Sequence, residues 1–276
     1  MRDGEPIIRL ERVRKAFEGQ VVLDRVDLAI RPGETTVVIG PSGCGKSVLL
    51  KHIVGLLRPD EGKVFFRDHL VSAMSERQLV AVRRHMGFLF QGGALFDSLT
   101  VEENVCFPLV EHGAGAGTGD ERRDRCAQVL SLVGLDGYQG RYPAELSGGE
   151  RKRVALARAI ALGPEVILYD EPTTGLDPIR ADLINELILT LQSALGTTAV
   201  VVTHDMSSAR KVGDRIVMLY RGKFVIDTTP DLLDEVTNEV VADFVEGRAG
   251  AEELAKIQTG RVELHDDRQA GTEDGG

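Results

Sequence analysis

The chain has 276 residues, enough for one large domain or two unequal ones, and its 42% hydrophobic and 28% charged residues are typical of a globular protein. A formal net charge of -10 argues against the clustered basic surface that binds DNA or RNA, so we expect no nucleic-acid partner. No apolar run reaches the roughly 18 residues of a membrane-spanning helix, and the N-terminus lacks the apolar stretch of a signal peptide. We therefore expect a chain that stays in the cytosol.

The N-terminal part of the chain has the pattern of short strands. Between Ile7 and Ile30, apolar and polar residues alternate with a period of two, which predicts antiparallel strands. The run from Thr35 to Ile39 is β-branched and uninterrupted, and it leads into GPSGCGKSVLLKHIVGLL, where the apolar period becomes that of a helix. The predicted order is strand, glycine-rich loop and helix.

Residues 92–162 have a different character. Helical patterns at Asp120 to Leu132 and at Glu150 to Leu162 are separated by glycine-rich stretches, one of them GAGAGTG at 113–119. We predict a helical subdomain inserted into the strand-rich part of the chain.

Two further apolar strands follow, VILYD ending at Asp170 and AVVVTHD ending at Asp205, with a helical pattern from Pro178 to Leu195 between them. Strands that alternate with helices predict a parallel sheet. A hairpin is indicated around Arg221 and Gly222.

The C-terminal tail, 248–276, is acidic and rich in glycine, and we expect its last part to be disordered. Within it, AEELAKIQ at 251–258 has the pattern of a short amphipathic helix that could reach a partner subunit. We assign 1–247 to the main domain.

The three cysteines, Cys44, Cys106 and Cys126, are odd in number, widely spaced and not part of a CxxC pair. This spacing predicts neither a disulfide framework nor a zinc site, and we expect three ordinary small side chains.

A phosphate-binding loop is predicted from the pattern GxxxxGK[ST], which stands between a strand and a helix. The matching residues are Gly40, Pro41, Ser42, Gly43, Cys44, Gly45, Lys46 and Ser47. Glycines let main-chain N–H groups approach a triphosphate, and the helix N-terminus adds a favourable dipole. Lys46 is expected on the β- and γ-phosphates and the Ser47 hydroxyl on Mg²⁺. A dinucleotide GxGxxG motif is excluded, because Val48 stands where glycine is required.

Asp170 and Glu171 follow the apolar strand VILYD. At the carboxyl edge of a parallel sheet they would lie beside the phosphate loop, with Asp170 on Mg²⁺ and Glu171 placed as a general base for an attacking water. The alternative is a simple polar end to a buried strand.

The segment LSGGE, 146–150, precedes another helical run. Ser147 and Glu150 have the spacing of a capping box, which predicts that a helix starts at Ser147. Glycine costs about 1 kcal/mol relative to Ala inside a helix, so Gly148 and Gly149 indicate a further role, such as close approach of an anion to the helix start.

Nearly all of residues 7–230 resembles the ABC ATPases. The resemblance is carried by a Walker A loop at 40–47, a Q-loop residue Gln91, the signature at 146–150, Walker B carboxylates Asp170 and Glu171, a D-loop at Leu176 and Asp177, and His204. It implies an α/β fold with a P-loop NTPase (RecA-like) core, an antiparallel β subdomain and an inserted α-helical subdomain.

The same resemblance implies ATP hydrolysis in a head-to-tail homodimer, with each ATP between the Walker A loop of one copy and the signature of the other. The nucleotide-binding residues would then include Val48 and, across the interface, Ser147, Gly148, Gly149 and Glu150. Three further roles are implied: Gln91 bridges Mg²⁺ or the attacking water, His204 holds the γ-phosphate and orients Glu171, and Phe17 stacks on adenine. For Phe17 a buried core position is an equal alternative, and for His204 a satisfied core histidine is the alternative.

Within the family, GKSVLLKHIVGLLRPDEG and FQGGALFDSLTVEENVCFPL resemble the ATPase of Mla- and Mce-type phospholipid transporters. This implies integral membrane permease subunits and a lipid-binding Mce-domain subunit as partners, with the chain peripheral on the cytoplasmic face of the inner (plasma) membrane. The alternatives are the ATPase of another ABC importer or exporter, a non-transport ABC scaffold, or a nucleotide-binding module without turnover.

Overall fold

The computed structural model describes residues 5–111 and 118–248, in which alternating strands and helices follow the patterns of the sequence. The strands in chain order are β1 (Ile8–Phe17), β2 (Gln20–Ile30), β3 (Thr35–Ile39), β4 (Glu61–Phe66), β5 (His69–Leu70), β6 (Met86–Leu89), β7 (Val166–Asp170), β8 (Thr198–Thr203), β9 (Arg215–Tyr220) and β10 (Lys223–Thr228). The helices are α1 (Lys46–Ile53), α2 (Glu76–Arg83), α3 (Val101–Glu111), α4 (Gly119–Leu132), α5 (Gly148–Ile160), α6 (Pro178–Leu195), α7 (Met206–Val212) and α8 (Glu239–Val245). Short 3-10 helices cover Val71–Ala73, Pro143–Glu145 and Pro230–Glu235.

A six-stranded sheet in the order β10-β9-β3-β8-β7-β6 forms the centre of the larger unit. All neighbouring strands in it are parallel except β10, which forms the predicted hairpin with β9. Every residue of β3, β7 and β8 is buried, as expected for parallel strands covered on both faces. Because parallel strands end at the same edge, the loops after β3, β6, β7 and β8 lie together there.

The predicted antiparallel lobe is a four-stranded sheet in the order β2-β1-β4-β5. Its apolar face shares one core with α1 and with the parallel sheet, represented by Leu10, Leu50, Phe66 and Val200. That shared core fixes α1, and with it the glycine-rich loop, against the end of β3.

The region 92–162 contains the predicted helices as α4 and α5 and also α3, which the sequence patterns did not separate from its surroundings. A capping box at Thr100 starts α3: its main-chain N–H donates to Glu103 Oε2 at 2.7 Å, and its hydroxyl oxygen accepts from the N–H of Glu103 at 3.2 Å. Pro108 lies inside this helix. Helix α2, which starts at a capping box of Ser75 and Gln78, was also not predicted.

The expectation of three unpaired cysteines is wrong for two of them. Cys106 on α3 and Cys126 on α4 form a disulfide, with their Cα atoms 5.8 Å apart, while Cys44 is free. The packing of α3 against α4 brings the two residues together across 20 positions of sequence, and spacing rules for small secreted frameworks do not detect such a tertiary pair.

Reduction of this disulfide is expected to destabilise the protein by about 3 kcal/mol, the loop-closure entropy of a ring of this size. The free energy of unfolding can be measured by chemical denaturation with and without a reducing agent. Cys106→Ser is expected to match the reduced protein and to lose its response to the reductant. An unchanged free energy of unfolding on reduction would contradict a stabilising bond.

The chain divides after Leu233 into two compact units, and the second, from Asp234, contains α8. Asn238 caps α8 by accepting the N–H groups of Val240 and Val241. The predicted helix at 251–258 and the predicted disorder of the tail lie outside the described residues. Within residues 5–111 and 118–248, no helix combines the length and apolarity needed to cross a membrane.

Candidate functional site

The glycine-rich loop lies between β3 and α1, and its geometry requires glycine. Gly40 and Gly45 have φ angles of 149° and 109°, and a Cβ at Gly40 would lie 2.2 Å from the carbonyl oxygen of Leu219. At Gly43, with φ of 78°, a Cβ would meet nothing within 4 Å, so the loop is open on that side. The loop is thus a tight main-chain cradle with room for a ligand beside it.

Lys46 is buried at the start of α1. Its Nζ donates to the carbonyl oxygens of Gly40 at 2.7 Å and Pro41 at 3.0 Å, and it lies 3.5 Å from Glu171 Oε1. The ammonium group is therefore held at the cradle and beside the predicted base.

Ser47 and Asp170 meet across the same edge, where the Ser47 hydroxyl donates to Asp170 Oδ1 at 2.7 Å. Burial raises the pKa of Asp170, which shows that its charge is poorly solvated and would be favoured by a nearby cation. A hydroxyl and a carboxylate are hard oxygen ligands of the kind Mg²⁺ prefers, so the pair fits the predicted metal site.

Glu171 follows β7 with a φ of 49°, uncommon for a residue other than glycine. Its Oε2 lies 2.8 Å from His204 Nδ1 and accepts from the Thr174 hydroxyl at 3.1 Å. The side chain of Glu171 is 9% exposed, whereas that of His204 is 49% exposed. The histidine predicted from the sequence thus contacts the predicted base and is not a buried core group.

The remaining predicted residues, Gln91, Val48, Cys44 and Phe17, differ in their surroundings. Gln91 is exposed and lies two positions after the end of β6, the strand that neighbours β7 in the sheet. The half-buried side chains of Val48 and Cys44 pack against the apolar core. Only the main-chain groups of these two residues are therefore available to bind a phosphate. Phe17 is the last residue of β1, and with 42% exposure it is not a core residue.

The signature segment starts α5 as predicted, with Ser147 as N-cap and Glu150 completing the capping box. Hydrogen bonds from the Ser147 side chain, the Tyr138 hydroxyl and the Ser147 N–H lower the pKa of Glu150 to about 2, so it is charged at neutral pH. Among the contacts of the described residues, none joins Ser147 or Glu150 to Lys46 or Glu171. Within one chain, therefore, the signature is not part of the Lys46 site.

Gly148 and Gly149 are not required by the fold of this chain. Neither has a positive φ angle. A Cβ at Gly148 would lie 3.6 Å from Leu176 Cδ2, and one at Gly149 would lie 3.5 Å from Arg180 Cδ, both ordinary van der Waals distances. A Cβ would fit at both positions, in contrast to Gly40, and Gly148 is exposed whereas Gly149 is buried.

Two site residues were missed in the sequence. Thr174, whose hydroxyl donates to Glu171, stands in a loop without periodic pattern. Lys152 lies on the buried stripe of α5 with Leu156 and Ile160, and its Nζ donates to the carbonyl oxygens of Gln91 and Glu171. Lys152 stands four positions before Leu156, on the same helix face as the buried apolar residues, and this spacing is the signal that could have identified it as buried.

Comparison with known proteins identifies the family of the chain. Residues 23–174 match the ABC transporter family. The chain is 40% identical over 241 residues to the probable ribonucleotide transport ATP-binding protein mkl of Mycobacterium tuberculosis, covering 87% of this chain and 67% of that one. It is 40% identical over 262 residues to the chloroplastic protein TRIGALACTOSYLDIACYLGLYCEROL 3 of Arabidopsis thaliana, covering 89% and 75%.

Among solved structures, the dimeric post-hydrolysis state of the ATP-binding cassette MJ0796 bound to ADP and Pi superimposes with a TM-score of 0.75. It is 38% identical, and the match covers 81% of this chain and 98% of that one. The predicted fold, a P-loop core with an antiparallel β subdomain and an inserted helical subdomain, is confirmed. The chain belongs to the ABC transporter family, as an ATP-binding subunit that hydrolyses ATP.

Proposed function

We propose that this ATPase works as a homodimer that energises phospholipid transport by an Mla- or Mce-type system, docked on integral membrane permease subunits at the cytoplasmic face of the inner membrane. A lipid-binding Mce-domain subunit is a further proposed partner. Each ATP would bind between the Walker A loop of one copy and the Ser147 turn of the other.

The observation that supports the dimer is the pair of glycines at the start of α5. A Cβ would fit at either position, so the fold of one chain does not require glycine there, and the exposed Gly148 leaves the helix start without a side chain. A phosphate group approaching from a second copy needs that open surface. The MJ0796 cassette, solved as a dimer bound to ADP and Pi, supports a dimer of this chain.

The proposed chemistry depends on groups that meet at the sheet edge. Lys46 holds the phosphates, and Glu171 accepts a proton from the attacking water, with His204 and Thr174 orienting its carboxylate. Ser47, Asp170 and Gln91 would hold Mg²⁺, which when bound neutralises charge on the phosphate oxygens. Phe17 is proposed to stack on adenine.

The surface proposed to receive the permease follows Gln91. Phe96 and Phe107 are 43% and 36% exposed, and their ring centroids lie 4.7 Å apart. Arg158 on α5 donates to the carbonyl oxygens of Gly93 and Ala94, both at 2.7 Å, which fixes this segment on the signature helix. Because Phe96 follows Gln91 by five positions, beyond the segment that bonds to α5, this exposed aromatic pair could transmit movement of that helix to a membrane subunit.

The lipid assignment rests on the two segments that resemble Mla- and Mce-type ATPases and on the apolar run that contains Phe96. One relative carries a galactolipid in its name, which supports a lipid cargo. Another at the same identity is named for ribonucleotide transport, so a different importer is the second candidate.

A test is to purify the chain with its membrane subunits from detergent-solubilised membranes, reconstitute the complex into liposomes and measure ATP-dependent transfer of labelled phospholipid. We expect transfer by the native complex and none with Glu171→Gln. Phe107→Ser is expected to release the ATPase from the membrane subunits, whereas Leu132→Ser, another exposed apolar residue of the helical subdomain, should remain bound. A complex that transports a nucleotide or other solute and no phospholipid would contradict the lipid assignment.

A further inference from the structure

Lys152 is a buried charge close to the site, with 6% exposure. It lies on α5 three positions after Gly149, on the helix face that also buries Leu156 and Ile160. An ammonium group in such a place loses most of its hydration, and an apolar side chain of similar length would fill the space without that cost. The stability of α5 therefore does not account for a lysine here.

The contacts of Lys152 join three elements. Its Nζ donates to the carbonyl oxygen of Gln91, after β6, and to that of Glu171, after β7, the latter at 3.3 Å. Burial lowers the pKa of Lys152, while the nearby charges of Asp170 and Glu171 oppose that shift. One side chain thus links the signature helix to the main chain of both Gln91 and Glu171.

We propose that Lys152 is a positioning residue that fixes the main chain of Glu171, and hence its carboxylate, relative to α5. The inference rests on the proposed role of Glu171 as general base. Because the start of α5 is proposed to bind the nucleotide of the second copy, Lys152 would make the base of one site sensitive to the occupancy of the other.

The first test is Lys152→Met, because the Met side chain has a similar length and no hydrogen-bond donor. We expect kcat for ATP to fall by about 10- to 100-fold, the effect of misplacing a reacting group by roughly 1 Å. Binding of a fluorescent ATP analogue should remain at one per chain, because Lys152 contacts neither the Walker A loop nor Ser47.

A double-mutant cycle with Glu171→Gln separates positioning from a general loss of folded protein. If Lys152 acts through the Glu171 carboxylate, Lys152→Met should change the residual single-turnover rate of Glu171→Gln by less than about twofold. A loss of equal size in both backgrounds would overturn the proposal. Full hydrolysis by Glu171→Gln alone would instead refute the proposed base.

The matched control is Arg153→Met on the same helix. Arg153 also donates to two main-chain carbonyl oxygens, those of Val133 and Gly134, both at 3.0 Å, but these lie outside the site. The kcat of Arg153→Met should stay within about twofold of the native value. If Lys152→Met does not bind one ATP per chain, Lys152→Gln, which keeps an N–H donor, is taken through the same cycle. If Lys152→Gln lowers the hydrolysis rate equally in the native and the Glu171→Gln backgrounds, the proposal would equally be overturned.

Discussion

Replacing Glu171 with Gln is expected to lower the rate of ATP hydrolysis by about 10²- to 10⁴-fold, the usual contribution of a general base, and to leave ATP binding intact. Gln has nearly the same size and can still bond to His204 and Thr174, so the local packing should persist. What it cannot do is accept a proton from water. The substitution therefore separates proton transfer from binding.

Because the product is not formed, the variant should accumulate with ATP bound. Size-exclusion chromatography with light scattering is expected to show a dimer in ATP and a monomer without nucleotide. His204→Ala is expected to lower hydrolysis less than Glu171→Gln, since the histidine orients the carboxylate and does not replace it. Native rates from Glu171→Gln would show that another group is the base.

Replacing Gly148 with Ala is expected to have opposite effects on the isolated chain and on catalysis. Ala is the better helix former, and the added Cβ would meet Leu176 Cδ2 only at 3.6 Å, so the free energy of unfolding of the nucleotide-free chain should rise by up to about 1 kcal/mol. Hydrolysis should fall by about 100-fold, because a methyl group at the exposed Gly148 would keep a phosphate from the N–H groups of the helix start.

Thermal unfolding and ATPase rates of Gly148→Ala can be compared with those of Gly140→Ala. Gly140 lies outside the proposed site, has no positive φ angle and would place its Cβ in open space, so the hydrolysis rate of Gly140→Ala should not change. A Gly148→Ala variant that is more stable and fully active would show that no nucleotide docks at the signature. Joint loss of stability and activity would indicate a structural requirement that the contacts of Gly148 do not show.

Helix ends and site residues that depend on local side chains could be predicted from the sequence. The bounds of α6 were predicted as Pro178 to Leu195 because Asp177 caps its start and Gly196 adopts the left-handed conformation at its end. The capping box at Ser147 fixed the start of α5 in the same way. The site residues Lys46, Ser47, Asp170 and Glu171 were found from motifs because the loops after parallel strands meet at one edge.

What escaped prediction depends on packing between elements. Helix α3 was not separated because Pro108 interrupts its pattern, although α3 continues through it. The Cys106–Cys126 bond requires α3 to lie on α4, and no spacing rule encodes that contact. From the sequence alone, Lys152 is interpreted as a solvated helix charge, whereas the packing of α5 against β6 buries the same side chain.

The most direct measurement is a structure of Glu171→Gln with ATP and Mg²⁺. Two copies should enclose each triphosphate, with Lys46 from one copy and Ser147 from the other contacting the same nucleotide. A triphosphate contacted by one chain alone, with the Ser147 turn open to solvent, would contradict a shared site.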